Sequence, residues 1–202
     1  MAKKPNRTPL VAIIALIVVL AVAVGARMLV WSGGDHGGAG TASIGGPFTL
    51  TDHDGKTASD ADFRGRFMLI YFGYTFCPDV CPTSLGVTAA ALDKLSPGDR
   101  RLVAPIFISV DPERDRPAVL KDYVGAFHPD LIGMTGTPEQ LAPVLKAYKV
   151  YAAKVKSDDP QAYTMDHSSI LYLMGPDGKF LAHFPHGTSA DEVAAGLKKH
   201  LK

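Results

Sequence analysis

Cysteine is scarce in this chain, which has only two among its 202 residues, Cys77 and Cys81. A fold held together by several disulfides is therefore excluded. Runs of basic residues are also absent: beyond the four cationic residues of the first 27 positions, 17 basic residues face 20 acidic ones, a formal charge of −3. A slightly acidic domain without a basic cluster argues against nucleic acid as a partner.

Charged residues are missing from a long stretch near the N-terminus. Residues 10–26 carry no charge, and apolar residues continue to position 31 past the single Arg27. This length suits a transmembrane helix. Lys3, Lys4 and Arg7 precede the stretch, so the positive-inside rule predicts a cytoplasmic tail over residues 1–9, a transmembrane anchor over residues 10–31 and export of the remainder.

A cleaved signal peptide is the alternative for this segment, since small residues that signal peptidase accepts stand at positions 25 and 26. We favour the uncleaved anchor because the apolar run is longer than the usual signal core of about 7–15 residues. The short tail leaves no room for a mitochondrial transit peptide. We therefore predict a single-pass protein of the bacterial inner membrane with its globular domain in the periplasm.

Glycine dominates the residues that follow, with seven in positions 32–46, and this composition predicts a flexible linker. Residues 47–202 are enough for one hydrophobic core, so we predict a single domain there. Strand and helix patterns alternate along it and predict an α/β fold with a mixed central sheet flanked by helices. An N-terminal β-hairpin is expected over residues 48–65, where Asp54-Gly55 supplies the turn.

The apolar run at residues 67–74 predicts a strand buried on both faces, followed directly by the two cysteines. Sites of open α/β sheets lie at the carboxyl ends of strands. The later elements are predicted as a helix from the cysteine segment to Leu92 or Leu95, ended by residues 96–98; strands over 102–110 and 131–134; helices over 117–127 and from 138 to about 148; an exposed segment over 150–164; a hairpin of strands 169–173 and 179–184; and a helix over 190–201.

Cys77 and Cys81 are four residues apart, which places them on one side of a helix if they lie at its start. They could then form a disulfide or chelate a metal. A helix N-terminus lowers the pKa of a thiol, and both roles need the thiolate. A purely structural disulfide would close a very short loop and contribute little stability. Two thiolates suit the soft ion Cu(I), and a third ligand would secure it.

Histidines supply the candidates for a third ligand. Solvation is expected for His53 and His128 in polar turns, for His200 near the C-terminal end and for His36 in the linker. A surface role is expected for His183 and His186 at the end of the second hairpin. His167 differs because it immediately precedes an apolar strand pattern. In a sheet of the predicted order, that segment lies beside the turn that carries the cysteines, so we favour ligation by His167.

Three segments in this order resemble the Sco/SenC family of thioredoxin-like copper proteins that assist cytochrome c oxidase assembly: FGYTFCPDVCPTSL (72–85), FISVDPERDRP (107–117) and MDHSSILYLMGPDGKF (165–180). The resemblance covers about residues 47–202. It implies that Cys77, Cys81 and His167 are copper ligands, with Cu(I) preferred and Cu(II) left open. It also implies delivery of copper to the binuclear site of oxidase subunit II.

Further roles follow from the resemblance. Asp166 is expected to orient His167 from outside the metal site. Residues 111–115 match an acidic loop of the family, with a role in metal transfer or in forming the turn. A second periplasmic copper chaperone as donor and a thiol reductant are the other partners that such a protein would need, since the cysteines must be reduced before copper loads.

Alternatives to a copper chaperone remain open at this point. A thiol-disulfide oxidoreductase would reduce the cysteines of the oxidase subunit, although thioredoxin-type enzymes use C-x-x-C and a cis-proline where this chain has Asp166-His167-Ser168. Thr75 near Cys77 is similar to a peroxiredoxin motif, but the proline of that motif is missing. A zinc site of two Cys, one His and a water is a further candidate.

Overall fold

A computed structural model of the chain describes residues 44–157 and 162–201. The predicted tail, anchor and residues 32–43 of the predicted linker lie outside this part, so these assignments stay predictions. No helix in the described ranges is long and apolar enough to cross a membrane.

A seven-stranded mixed sheet organises the described residues, in the order β2-β1-β5-β4-β3-β8-β9. Two further strands, β6 and β7, form a separate antiparallel pair. The strands are β1 Thr49–Asp52, β2 Thr57–Ser59, β3 Phe67–Gly73, β4 Val103–Ser109, β5 Ile132–Thr135, β6 Ala152–Val155, β7 Thr164–His167, β8 Ile170–Met174 and β9 Phe180–Pro185.

Helices connect the strands, and the prediction of an α/β fold with helices around a mixed sheet is confirmed. The helices are α1 Val80–Asp93, α2 Pro97–Arg101, α3 Pro117–Gly125, α4 Pro138–Ala147 and α5 Ala190–His200, with a short 3₁₀ turn at Asp60–Phe63. Helix α1 packs against α5, and α3 packs against β5. The predicted hairpin is confirmed as well, since β1 pairs with β2 antiparallel.

Strand β3 lies at the centre of the sheet. It runs parallel to β4 from Phe67 beside Val103 to Gly73 beside Ser109. It runs antiparallel to β8 on its other side. Six of its seven residues are buried, as expected for an apolar strand covered on both faces. The carboxyl end of β3 therefore lies between the carboxyl end of β4 and the start of β8.

Helix α1 ends at Asp93, before residues 96–98, as predicted. The prediction missed that these residues also begin α2, where Ser96 accepts a hydrogen bond from the Asp99 amide at 3.1 Å and Pro97 occupies the first helical position. Two predictions about local structure were wrong. His128 is buried rather than solvated. Its Nδ1 accepts a hydrogen bond from the Asp130 amide at 3.1 Å, which satisfies this ring nitrogen inside the fold.

The second error concerns residues 150–164, which were expected to be an exposed excursion. Tyr151 and residues 154–157 are exposed as predicted, but part of the segment has regular structure. Residues 152–155 of this segment form β6, which pairs with β7 from Ala152 beside His167 to Val155 beside Thr164. Tyr163 is buried just before β7. The segment is too short and polar to show strand periodicity, yet its pairing builds the support on which His167 is placed.

Candidate metal centre

The two cysteines lie in the turn that joins β3 to α1. Cys77 precedes the helix, and Cys81 lies in its first turn. The Cys81 amide is oriented toward the Cys77 sulfur, at 3.4 Å from Sγ. Because amides of the first helical turn have no partner within the helix, the sulfur satisfies one of them. Both cysteines are free thiols.

His167 reaches this turn through the pairing of β8 with β3. It is the last residue of β7, and residues 168 and 169 connect it to β8. Since Leu171 pairs with Tyr71, the start of β8 lies next to the carboxyl end of β3. The antiparallel register thus carries a residue 86 positions along the chain from Cys81 to within contact of it.

The structure brings together the three residues that the sequence singled out. The sulfurs of Cys77 and Cys81 and a ring nitrogen of His167 all lie within 4.8 Å of one another. The distance from the Cys81 sulfur to Nε2 of His167 is 3.3 Å. No other group of three or more His, Cys, Asp or Glu side chains in the described ranges has its potential ligand atoms so close. Two sulfurs and one imidazole nitrogen are donors that suit Cu(I) or Zn²⁺.

The His167 ring has the tautomer that a metal ligand needs. Its Nδ1 lies 3.1 Å from the backbone oxygen of Ser168, so Nδ1 carries a proton and donates it, while Nε2 presents a lone pair toward Cys81. Burial lowers the pKa of His167 below 6.5, opposed by the backbone oxygens of Ser168 and Phe72 and the charge of Asp166. The imidazole is therefore neutral at neutral pH and free to ligate.

Asp166 lies on the other side of the strand from the ring. Neighbouring strand residues point to opposite faces, and Asp166 is exposed while His167 is partly buried. The partner of Nδ1 is the Ser168 carbonyl, and the Asp166 charge raises the pKa of the ring through space. The Ser168 carbonyl, and not Asp166, is thus the hydrogen-bond partner of Nδ1, and a role of Asp166 in orienting His167 stays a prediction.

Burial has a larger effect on the pKa of Cys81 than the helix N-terminus has. Desolvation raises the pKa of this thiol well above its ordinary value of 9.0, and the nearby Cys77 sulfur adds to the increase. The expectation that the helix end would lower it was wrong for Cys81, because the side chain is 0 % exposed and the charged form loses its solvation. Metal must therefore displace a proton from this sulfur to bind it.

A shallow groove of about 340 Å³ gives access to the centre. Cys77 and His167 line it together with Tyr74 and Met165, whereas Cys81 does not. Cys77 is thus the sulfur that an incoming molecule meets first, and Cys81 lies behind it. Two tyrosine rings, Tyr71 and Tyr74, meet the imidazole nearly at right angles, with centroids 6.2 and 5.7 Å away.

Asp115 fixes the cysteine turn to the end of β4. Its carboxylate is fully buried and accepts hydrogen bonds from the Thr75 amide at 3.0 Å, the Thr75 hydroxyl at 2.6 Å and the Ser109 hydroxyl at 2.6 Å. Burial raises the pKa of this carboxyl, and the hydrogen bonds from Ser109 and Thr75 oppose the increase. The acidic loop therefore has a structural role at this position.

Arg114 connects the same loop to both sides of the centre. Its guanidinium lies over the rings of Phe76, at 4.6 Å, and Tyr163, at 3.6 Å. It donates a hydrogen bond to the Tyr163 carbonyl at 2.9 Å and pairs with the buried carboxylate of Asp111. The sequence pattern predicts a turn or a role in metal transfer for this loop, and it does not show that the loop connects the cysteine turn to the segment that leads into β7. The sequence signal for this role is an apolar strand pattern that ends directly in a cluster of charged residues at positions 111–116.

Comparison with known proteins places the chain in a family. The family model described as SCO1/SenC matches residues 36–202. The chain belongs to the SCO1/SenC family. This confirms the resemblance that the three sequence segments carry.

Similar Sco proteins come from mitochondria and bacteria. The chain is 42% identical over 164 residues to "Protein SCO1 homolog 1, mitochondrial" of Arabidopsis thaliana, which covers 81% of this chain but 49% of that protein. It therefore spans about half the length of this curated relative. It is 48% identical to ScoI of Bradyrhizobium japonicum, solved with copper bound, with a TM-score of 0.73 over 78% of this chain and 99% of the other.

A more distant Sco structure is described by its thiol chemistry. BsSco, in which a disulfide switch was identified, is a member of the Sco family of cytochrome c oxidase assembly proteins. It is 28% identical to this chain, with a TM-score of 0.57 over 79% of this chain and 94% of the other. Of these two solved relatives, one is described with copper bound and the other with a disulfide switch.

Proposed function

We propose that this protein is a copper chaperone that binds Cu(I) through Cys77, Cys81 and His167. The observation that supports this most directly is the convergence of two free thiols and a neutral imidazole within 4.8 Å at the end of β3. The copper-bound structure of a 48% identical relative supports the choice of metal. Cu(II) is left as a second oxidation state that the site could hold.

The donor set favours transfer over permanent storage. Two thiolates and one imidazole satisfy Cu(I) with three ligands, and the groove lies on the side of Cys77 and His167. An incoming thiolate can approach from that side and bind before a resident ligand leaves. A closed set of four strong ligands would not offer this route.

Direct copper binding is tested by anaerobic titration of the reduced protein with Cu(I) against a colorimetric chelator. We expect one tightly held Cu(I) per chain, and loss of that binding in Cys77→Ser, Cys81→Ser and His167→Ala. His183→Ala is the matched control, because this histidine is exposed and lies outside the centre. Unchanged affinity in the double variant Cys77→Ser, Cys81→Ser would refute the site.

We further propose that copper is delivered to the binuclear site of cytochrome c oxidase subunit II. Family membership and the description of BsSco as one of a family of oxidase assembly proteins support this acceptor. A periplasmic copper chaperone would act as donor and a thiol reductant would keep the cysteines reduced. Mixing the copper-loaded chain with the reduced, metal-free copper domain of subunit II should transfer colourless Cu(I). Removal of one electron from the product with ferricyanide should then produce the absorption bands of the binuclear site. Failure under conditions where copper salts reconstitute the domain would argue against delivery.

A thiol-disulfide oxidoreductase is the second candidate, favoured by the arrangement of one accessible and one recessed sulfur. The Cys77 thiolate would attack a substrate disulfide and release one substrate thiol. Cys81 would then attack the Cys77 sulfur, release the second substrate thiol and leave the disulfide Cys77–Cys81. Two electrons pass to the substrate, whose sulfurs each take up a proton. His167→Ala separates the roles, because it removes a copper ligand and leaves both thiols.

We also propose that the chain is anchored in the bacterial inner membrane by residues 10–31, with the domain in the periplasm. The uncharged stretch preceded by basic residues supports this topology. Alkaline phosphatase fused after residue 46 should be active, and the full chain should resist carbonate extraction from membranes. Release of a shortened soluble chain would favour the cleaved signal peptide.

A further inference from the structure

The groove beside the metal centre is lined by a third sulfur-containing side chain, in addition to the two cysteines of the centre. Met165 lines this groove together with Cys77 and His167. The other three methionines of the described ranges, Met68, Met134 and Met174, are at most 1 % exposed and belong to the hydrophobic core. Met165 is therefore placed differently from these three.

The strand register explains why Met165 lies at the centre. Met165 and His167 are two residues apart in β7, and strand side chains alternate between faces. Both are partly buried, whereas Thr164, which precedes them, and Asp166, which lies between them, are exposed. Pairing of β7 with β6 holds this register, with Met165 opposite Lys154 and His167 opposite Ala152. The thioether is thus carried on the same face of the same strand as the imidazole ligand.

We propose that the Met165 thioether is a fourth, weakly held ligand of the bound copper on its groove side. This inference rests on the proposed function. A thioether is a soft donor that favours Cu(I), and it has no proton to lose when it binds. The methionine side chain is unbranched and has three rotatable bonds, so it can approach or leave the metal while the strand stays in place. An incoming thiolate from the acceptor would displace it.

The competing interpretation is that Met165 only fills apolar space beside the core. Met165→Leu distinguishes the two, because leucine keeps the volume and the hydrophobicity and removes only the sulfur. A filler role predicts unchanged copper chemistry in this variant. A ligand role predicts altered copper chemistry with little change in the stability of the copper-free protein.

The direct test uses the full chain labelled with selenomethionine and loaded anaerobically with one equivalent of Cu(I). X-ray absorption at the selenium edge should show copper at bonding distance from one of the six selenium atoms, counting all methionines of the sequence. Met165→Leu should remove this copper neighbour, and Met134→Leu, a core substitution, should retain it. Absorption at the copper edge on the same samples reports the sulfur and nitrogen ligands.

The outcomes separate this inference from the function on which it rests. Copper with sulfur and nitrogen neighbours but no selenium neighbour overturns the role of Met165 and leaves the three-ligand site intact. A selenium neighbour that persists in Met165→Leu also overturns it, since another methionine would then be the ligand. Absence of bound copper overturns both.

Two solution measurements give independent readouts. Met165→Leu should weaken Cu(I) binding by about tenfold, the lower end of the loss seen when contacts around a metal site are removed. It should also lower the reduction potential of the bound copper, because a thioether stabilises Cu(I) more than Cu(II). Unchanged affinity and potential would overturn the proposal.

Discussion

Gly73 is the residue at which a side chain would strike the metal centre directly. A Cβ at this position would lie 2.6 Å from the Cys81 sulfur and 2.9 Å from the Phe107 ring. We expect Gly73→Ala to displace Cys81 and to weaken Cu(I) binding in a chelator competition. Overpacking of a core of this kind lowers the free energy of unfolding by about 1–3 kcal/mol, which urea denaturation measures.

Gly86 provides the matched control for this substitution. It lies in the exposed face of α1, and a Cβ there would contact nothing within 4 Å. Gly86→Ala should stabilise the protein by about 0.5–1 kcal/mol through helix propensity and leave Cu(I) affinity unchanged. Equal copper affinity in both alanine variants would show that the space behind Cys81 is not critical.

The lowered pKa of His167 predicts a pH dependence of the copper-free protein. The unfolded histidine takes up a proton near pH 6.5, whereas the buried ring takes it up only at lower pH. The contribution of the neutral ring to stability is therefore complete above pH 6.5 and decreases as the pH falls from there through the lowered pKa. Urea unfolding between pH 8 and 5 should show a smaller decrease in His167→Gln than in the wild type.

The exposed His183 tests whether this pH effect is specific to the buried ring. His183→Gln should keep the decrease in unfolding free energy that the wild type shows. A wild-type decrease in His167→Gln as well would assign the effect to other groups.

At the scale of elements, the acidic loop after β4 supports the cysteine turn. Asp115→Ala leaves the hydroxyls of Thr75 and Ser109 and the Thr75 amide without their shared acceptor. An unsatisfied buried polar group costs about 1–3 kcal/mol, so we expect a loss of at least about 2 kcal/mol in unfolding free energy. Hydrogen exchange should show faster opening of residues 74–79. Glu113→Ala in the same loop removes an exposed carboxylate that pairs with Lys154, so a smaller loss is expected.

Sequence patterns predicted the elements with strong periodicity and missed those held by tertiary pairing. The apolar run of β3 and the start of the helix that follows were predictable because burial on two faces and a proline at the helix start leave local signals. Strand β6 left none, since its four residues are stabilised mainly by pairing with β7. The burial of His128 and Asp115 also depends on neighbours distant in sequence, which local patterns cannot show.

At the scale of the whole molecule, the order of the strands in the sheet determines where the metal centre forms. The sequence indicated that the His167 segment should lie beside the cysteine turn, and the antiparallel pairing of β8 with β3 places it there. What the sequence could not supply is the access to the centre. The groove and the recessed position of Cys81 arise from packing between the cysteine turn and the His167 segment, which are distant in sequence.

This long separation predicts how copper should affect the stability of the entire domain. Cys77 and Cys81 are close in the unfolded chain too, so chelation by the pair alone gives the folded state little advantage. His167 is 86 residues from Cys81, and its ligation requires the folded sheet. A hundredfold preference of Cu(I) for the folded chain would raise the free energy of unfolding by about 2.7 kcal/mol. Anaerobic urea denaturation with and without one equivalent of Cu(I) measures this increment.

The variant His167→Ala should lose most of the increment even at copper concentrations where its cysteine pair is occupied. His183→Ala, which alters an exposed histidine of β9, should retain it in full. If His167→Ala were stabilised by copper as much as the wild type, the metal would be held by the cysteine turn alone. The closure of the sheet around His167 would then have no part in binding.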